Sequence, residues 1–181
     1  MHTRLAATFD AWDPPESRLE ALAFGLFAVR RGLTQGLVGL PERLLWRAED
    51  GVAAAGEVAR GAWDREFHWL WPLDLDAPEL PATPTLVEVF YGFVRHRAVT
   101  EELLMSASDE DLSRRHESRV TLGEPSTLAS ALLLVAEAEL ADLPRLHELR
   151  TRLQPEWAGI GELNDRATRA LLEARAAAEQ T

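Results

Sequence analysis

The sequence predicts an all-α fold, a four-helix bundle with a long crossover connection and an additional C-terminal helix. Three observations predict it. The apolar side chains, 46% of the chain, are mostly Leu, Ala and Val with a single Tyr, a mixture that favours helix over strand. They recur every three to four positions in separate segments, which puts them on one face of each helix. Prolines concentrate between those segments, where a helix cannot continue.

The chain of 181 residues reads as a single domain over residues 1–181, with a core of about residues 16–153 and a C-terminal helix of about residues 161–180. After Asp13-Pro14-Pro15, the spacing of Leu19, Leu22, Ala23, Leu26, Phe27 and Arg30 predicts a helix from about Glu16 to Leu37. Gly32, Gly36 and Gly39 are expected to loosen its last turns, and Gly39-Leu40-Pro41 to close it. Val52, Ala55, Val58, Ala59, Ala62, Trp63, Phe67 and Leu70 share the face of a second helix that ends near Trp71-Pro72. The proline-rich stretch from Pro72 to Pro84 is expected to be the crossover.

Thr85 and Glu88 have capping-box spacing, and Leu86, Val89, Phe90, Phe93, Val94, Ala98 and Leu103 form the third stripe, ending around Ser106. Ser108 to Gly123 is charged, a surface connection with room for one helical turn. Ser126-Thr127 opens a fourth helix carrying Leu128, Ala131, Leu132, Val135, Ala138, Glu139, Asp142 and Leu146. Pro144 is expected to kink or break it near Ala141, because a mid-helix proline lacks one hydrogen bond and crowds the preceding turn. Gly161 to Gln180, rich in Ala, Leu, Arg and Glu, is helical by composition.

Composition excludes several functions. The chain has no cysteine, so disulfides, thiolate metal sites and thiol nucleophiles are ruled out. Its net charge of −11 disfavours nucleic acid and anionic membrane surfaces. Asp10 and Asp13 interrupt the N-terminal segment before any signal-peptide core, and the apolar patch from Ala21 to Val29 is about half a bilayer span, so a cytoplasmic protein is expected. Nucleotide-binding glycine loops, the nucleophile elbow and the His-Glu-x-x-His zinc motif are all missing.

The remaining candidates for chemistry are carboxylates and histidines. Glu139 and Asp142, at i and i+3 on the most apolar helix, are placed to turn toward one interior and hold a hard or borderline cation, with Glu57 of the second helix as a further ligand. The alternative is that all three are solvated edges of amphipathic helices. His2, His68, His96, His116 and His147 are scattered. His68, inside Phe67-His68-Trp69-Leu70-Trp71, reads as a core or interface histidine or as part of a ligand pocket, His147 as a helix-end cap and His96 as exposed.

The order of these signals resembles the DinB-like (DinB/YfiT) superfamily of small helical bundles. The resemblance rests on Gly39-Leu40-Pro41-Glu42, Trp46-Arg47, Asp50-Gly51, Phe67-His68-Trp69-Leu70, Ser108-Asp109-Glu110-Asp111-Leu112 and the segment from Thr127 to Glu139, over about residues 16–153. It implies a divalent-metal site with one histidine on the second helix and a His-x-x-x-His pair on the fourth. Here the corresponding positions hold Glu57, Ala138 and Asp142, with the glutamate that follows the first histidine of the pair kept as Glu139. Carboxylates in place of imidazoles shift preference toward Mg²⁺, Mn²⁺ or Ca²⁺, and alanine removes a ligand.

The expected function is therefore a DinB-like bundle with a degenerate metal site, a ligand-binding or protein-interaction module. Its expected partners are a second copy, through Trp63, Trp69 or Trp71, or a small molecule. Either a weakly held divalent ion or no cofactor goes with it. The alternative is a divalent-metal-dependent transferase or hydrolase built on Glu57, Glu139 and Asp142, with His68 or His147 assisting.

Overall fold

A computed structural model describes residues 17–48, 53–70, 81–116 and 127–157. They form four long helices, α1 (Arg18–Leu37), α2 (Ala55–Leu70), α3 (Leu86–Ser106) and α4 (Leu128–Leu153), with short 3₁₀ turns at Glu42–Leu44 and Asp109–Ser113. The all-α class holds, and the described residues contain no strand beyond a single bridge between Arg115 and Thr127. The expected helix over 161–180 and most of the expected crossover lie outside the described residues.

Each helix starts where its sequence supplies an acceptor for free N–H groups. The Ser17 hydroxyl accepts the Glu20 N–H at 3.1 Å, and Asp109, from the turn after α3, accepts the Leu19 N–H at 2.9 Å. Thr85 and Glu88 make the expected capping box, and the Glu42 carboxylate adds a bond to the Leu86 N–H at 3.1 Å. Thr127 caps α4 through the Ser130 N–H. Helix ends are thereby tied to distant parts of the chain.

The same contacts set the directions of the helices. Residue 19 of α1 meets residue 109, and Arg30 meets Thr100, so α1 and α3 run oppositely. Gly32 lies under Leu143 and Gly36 under Leu146, so α1 and α4 run together. Arg60 meets Ala82 and Trp63 meets Gly92, which makes α2 and α3 parallel. Residues 71–85 therefore join two helices that point the same way, as a crossover must.

A continuous core runs through all four helices, with Leu22, Leu26, Leu33, Leu37, Leu70, Leu104, Leu132, Leu143, Leu146 and Leu149 fully buried. Three sequence expectations are corrected here. Gly32 and Gly36 do not loosen α1: they are seats for α4, since a Cβ on Gly36 would lie 2.4 Å from Leu146 Cδ2. Only Gly39, with φ +71°, ends the helix by its backbone freedom. Pro144 does not break α4, which continues from Leu128 to Leu153, because the turns on both sides of it are anchored by buried Leu143, Leu146 and Leu149.

Trp63 is the third correction. It is buried and lies over Gly92, where a Cβ would fall 1.1 Å from its ring, so it has no free face for a partner. Trp69 packs partly into the core, and Trp71 lies outside the described residues. Trp46, from the motif that opened the family resemblance, covers Gly56 and donates its indole N–H to the Pro84 carbonyl at 3.2 Å.

Candidate functional site

The most distinctive chemistry in the molecule is a band of charge inside the apolar core. α1 contributes Arg30, α2 contributes Arg65 and Glu66, α3 contributes Thr100, and α4 contributes Glu139 and Asp142. The Arg30 guanidinium donates from Nε to Glu66 Oε1 at 2.6 Å and from Nη2 to Thr100 Oγ1 at 3.1 Å, linking three helices. Arg65 donates from Nη2 to Asp142 Oδ2, joining α2 to α4. At the surface, exposed Arg145 approaches Asp142 Oδ1 at 3.5 Å.

Glu139 stands apart within this band. Its exposure is 0%, and neither carboxyl oxygen has a hydrogen-bond partner among the described residues. Arg30 Nη1 and Arg65 Nε are likewise buried without partners among the described residues. Burial raises the Glu139 carboxyl well above the ordinary carboxylate range, and the negative charge of Glu66 pushes it further; Arg30 and Arg65 pull the other way with less effect.

The sequence-predicted carboxylates do not converge. Glu57 is exposed at the first turn of α2, where its Oε2 accepts the Ala54 N–H at 3.1 Å. That is a helix-start role. Glu139 and Asp142 are both buried, and Asp142 is engaged by guanidinium groups. Among the described residues no group of three His, Cys, Asp or Glu side chains is placed to hold a metal ion.

Among the described residues no histidine joins the charged band. His68 is exposed and sits edge-on to Phe67 with ring centroids 5.2 Å apart, so it is not a core residue. His147 lies inside α4 against Trp157 at 5.4 Å, and is no cap. His116 hydrogen-bonds through Nε2 to the Trp69 carbonyl at 3.1 Å, one of the last carbonyls of α2, and burial lowers its pKa. His2 and the side chain of His96 lie outside what is described.

Sequence reasoning missed Arg30, Arg65, Glu66 and Thr100. A signal for two of them was there: Arg30 lies four residues after Leu26, and Glu66 four after Ala62, each on an apolar stripe. A charge inside a buried stripe asks for an opposite charge on a facing stripe. No protein-family model, curated protein or solved structure matches the chain.

Proposed function

We propose that this protein is a DinB-like helical bundle with a degenerate metal site that works as a protein-interaction module, pairing with a second copy through the outer face of α3. The observation that carries this reading is a row of exposed apolar side chains. Val87 is 77% exposed, Tyr91 65% and Met105 54%, and Ala98 is exposed between them. At 100° per residue these four positions fall within an arc of about 40°, so they form one stripe along the helix. A stripe of this kind is the usual mark of a contact surface, and a symmetric pair would bury it against itself.

The charged band inside the core supports the same reading. Where the resemblance implies a cation held by side chains of α2 and α4, Asp142 instead meets the Arg65 guanidinium and Glu57 faces solvent. The positive charge that a metal would bring is already supplied by the chain. The transferase or hydrolase alternative asks those same carboxylates to gather around one ion, and they do not gather.

Light scattering coupled to gel filtration tests the proposal. The wild type is expected to elute as a dimer whose melting midpoint rises with concentration, and Tyr91→Glu as a monomer with unchanged helix content. A wild-type monomer at the highest soluble concentration would overturn the pairing. Stoichiometric divalent metal in protein purified without chelator, lost in Asp142→Ala, would overturn the non-metal reading.

A further inference from the structure

We propose that the charged band encloses a water-binding site between α1, α2 and α4, in which Arg30 and Arg65 donate to a buried water and that water donates to Glu139. Four polar atoms lead to it. Arg30 Nη1, Arg65 Nε, Glu139 Oε1 and Glu139 Oε2 are buried and have no hydrogen-bond partner among the described residues. Buried polar groups are nearly always satisfied, by the protein or by ordered water. The rest of each guanidinium is already fixed. Arg30 is held through Nε by Glu66 Oε1 at 2.6 Å and through Nη2 by Thr100 Oγ1 at 3.1 Å, which leaves Nη1 over. Arg65 is held through Nη2 by Asp142 Oδ2, one turn beyond Glu139 on α4, which leaves Nε over.

Helix register brings the four atoms to one level of the bundle. Glu139 and Asp142 share the buried face of α4 at i, i+3 spacing. Arg65 neighbours Glu66 in sequence, so the Arg65–Asp142 and Arg30–Glu66 pairs lie at the same turn of α2. α1 and α4 run together with Gly32 against Leu143, which sets Arg30 and Glu139 within about a turn of one another along the bundle. Donors from two helices and acceptors from a third therefore meet where Glu139 has no exposed surface. A cation would face two guanidinium nitrogens there, and an anion would face the Glu139 oxygens. A small neutral molecule that both accepts and donates suits both sides. Water, with its two lone pairs and two O–H groups, is the smallest of these. The match needs no particular protonation state, because a carboxyl offers an acceptor whether or not it is ionised.

This site is separate from the α3 stripe, so the dimer test and the water test fail independently. Magnetic relaxation dispersion of the water nuclei, measured on the whole chain, counts waters that stay bound longer than the protein takes to tumble. Glu139→Met, which keeps no oxygen at the site, is expected to lose about one water per chain from the dispersion amplitude. Glu139→Gln, which keeps a carbonyl acceptor, is expected to retain it. A wild type without such dispersion, an amplitude unchanged in Glu139→Met, or one lost equally in Glu139→Gln overturns the proposal. If Glu139→Met does not fold, a crystal structure of the wild type decides. A water within hydrogen-bond distance of Glu139 and of Arg30 Nη1 or Arg65 Nε bears the proposal out. A direct bond from either guanidinium to Glu139, or a metal ion in that place, overturns it.

Discussion

Toward α1, α4 presents Leu143 and Leu146, which settle onto Gly32 and Gly36; toward α2 it presents Glu139 and Asp142, which meet Glu66 and Arg65. The first face is held by close packing, with the helix backbones allowed together by the missing Cβ atoms. The second face is held by charges that the core does not solvate. Close packing of the first kind is sensitive to a single methyl group, and the charge-assisted pairs of the second add directional geometry. The glycine face brings α4 close, and the charged face fixes its rotation and depth. Arg150 joins the two ends, donating to the Gly36 carbonyl at the end of α1 while its guanidinium lies 4.8 Å from the Trp157 ring centroid.

The largest effect is expected on the charged face. Arg30→Ala removes the guanidinium that Glu66 and Thr100 share, next to Glu139. Loss of one partner from a buried pair costs about 3–5 kcal/mol. Urea unfolding should show it as a lower midpoint with an unchanged slope. The double change Arg30→Met with Glu66→Met, apolar and similar in volume, should recover most of that loss, because no charge is then left buried alone. Failure of the pair to recover would mean that the band does more than balance itself.

The glycine face should respond less strongly. A methyl group at residue 36 meets Leu146 Cδ2 at 2.4 Å, so Gly36→Ala overpacks the contact at a cost of about 1–3 kcal/mol. Helix propensity returns about 1 kcal/mol of that. The net loss is therefore small, and Gly32→Ala, at 2.9 Å from Leu143, should lose less still. Adding Leu146→Ala to Gly36→Ala should yield a positive coupling in a double-mutant cycle, since the methyl then fills space that the leucine gives up.

The contrast between the faces also explains what was legible beforehand. The helices were readable because apolar periodicity, Thr85 with Glu88, and Gly39 are local signals, and each acts within a few residues of itself. The burial of Glu139 and Asp142 was readable only as one of two alternatives, an interior pair or solvated helix edges. Their partners were not, because Arg65 and Glu66 lie more than seventy residues away in the chain, and only the meeting of α2 with α4 reveals which charge faces which. Glu57 was misplaced for the same reason. Its distance along α2 from Glu66 carries it out of the core and onto the helix start. Pro144 was read as a kink or a break on local grounds, and the long-range burial of its neighbours overrode the break.

The smallest effect concerns His116, whose shift has the opposite consequence for stability to that of Glu139. Burial holds its pKa below the ordinary value of 6.5, so near that pH the unfolded chain binds more protons than the folded one. The stabilising contribution is complete above 6.5 and is lost as pH falls through the folded value. Glu139, with its pKa raised above 4.5, contributes fully below that value and loses its contribution as pH rises through the folded one. Stability of the wild type therefore carries two opposed slopes. His116→Gln, which keeps a donor for the Trp69 carbonyl, should remove only the upward slope near pH 6.5, and Glu139→Gln only the downward one. Melting curves of both variants across pH separate the two groups, and a variant that removed both slopes at once would show that the titrations are a single event shared through α2 and α4.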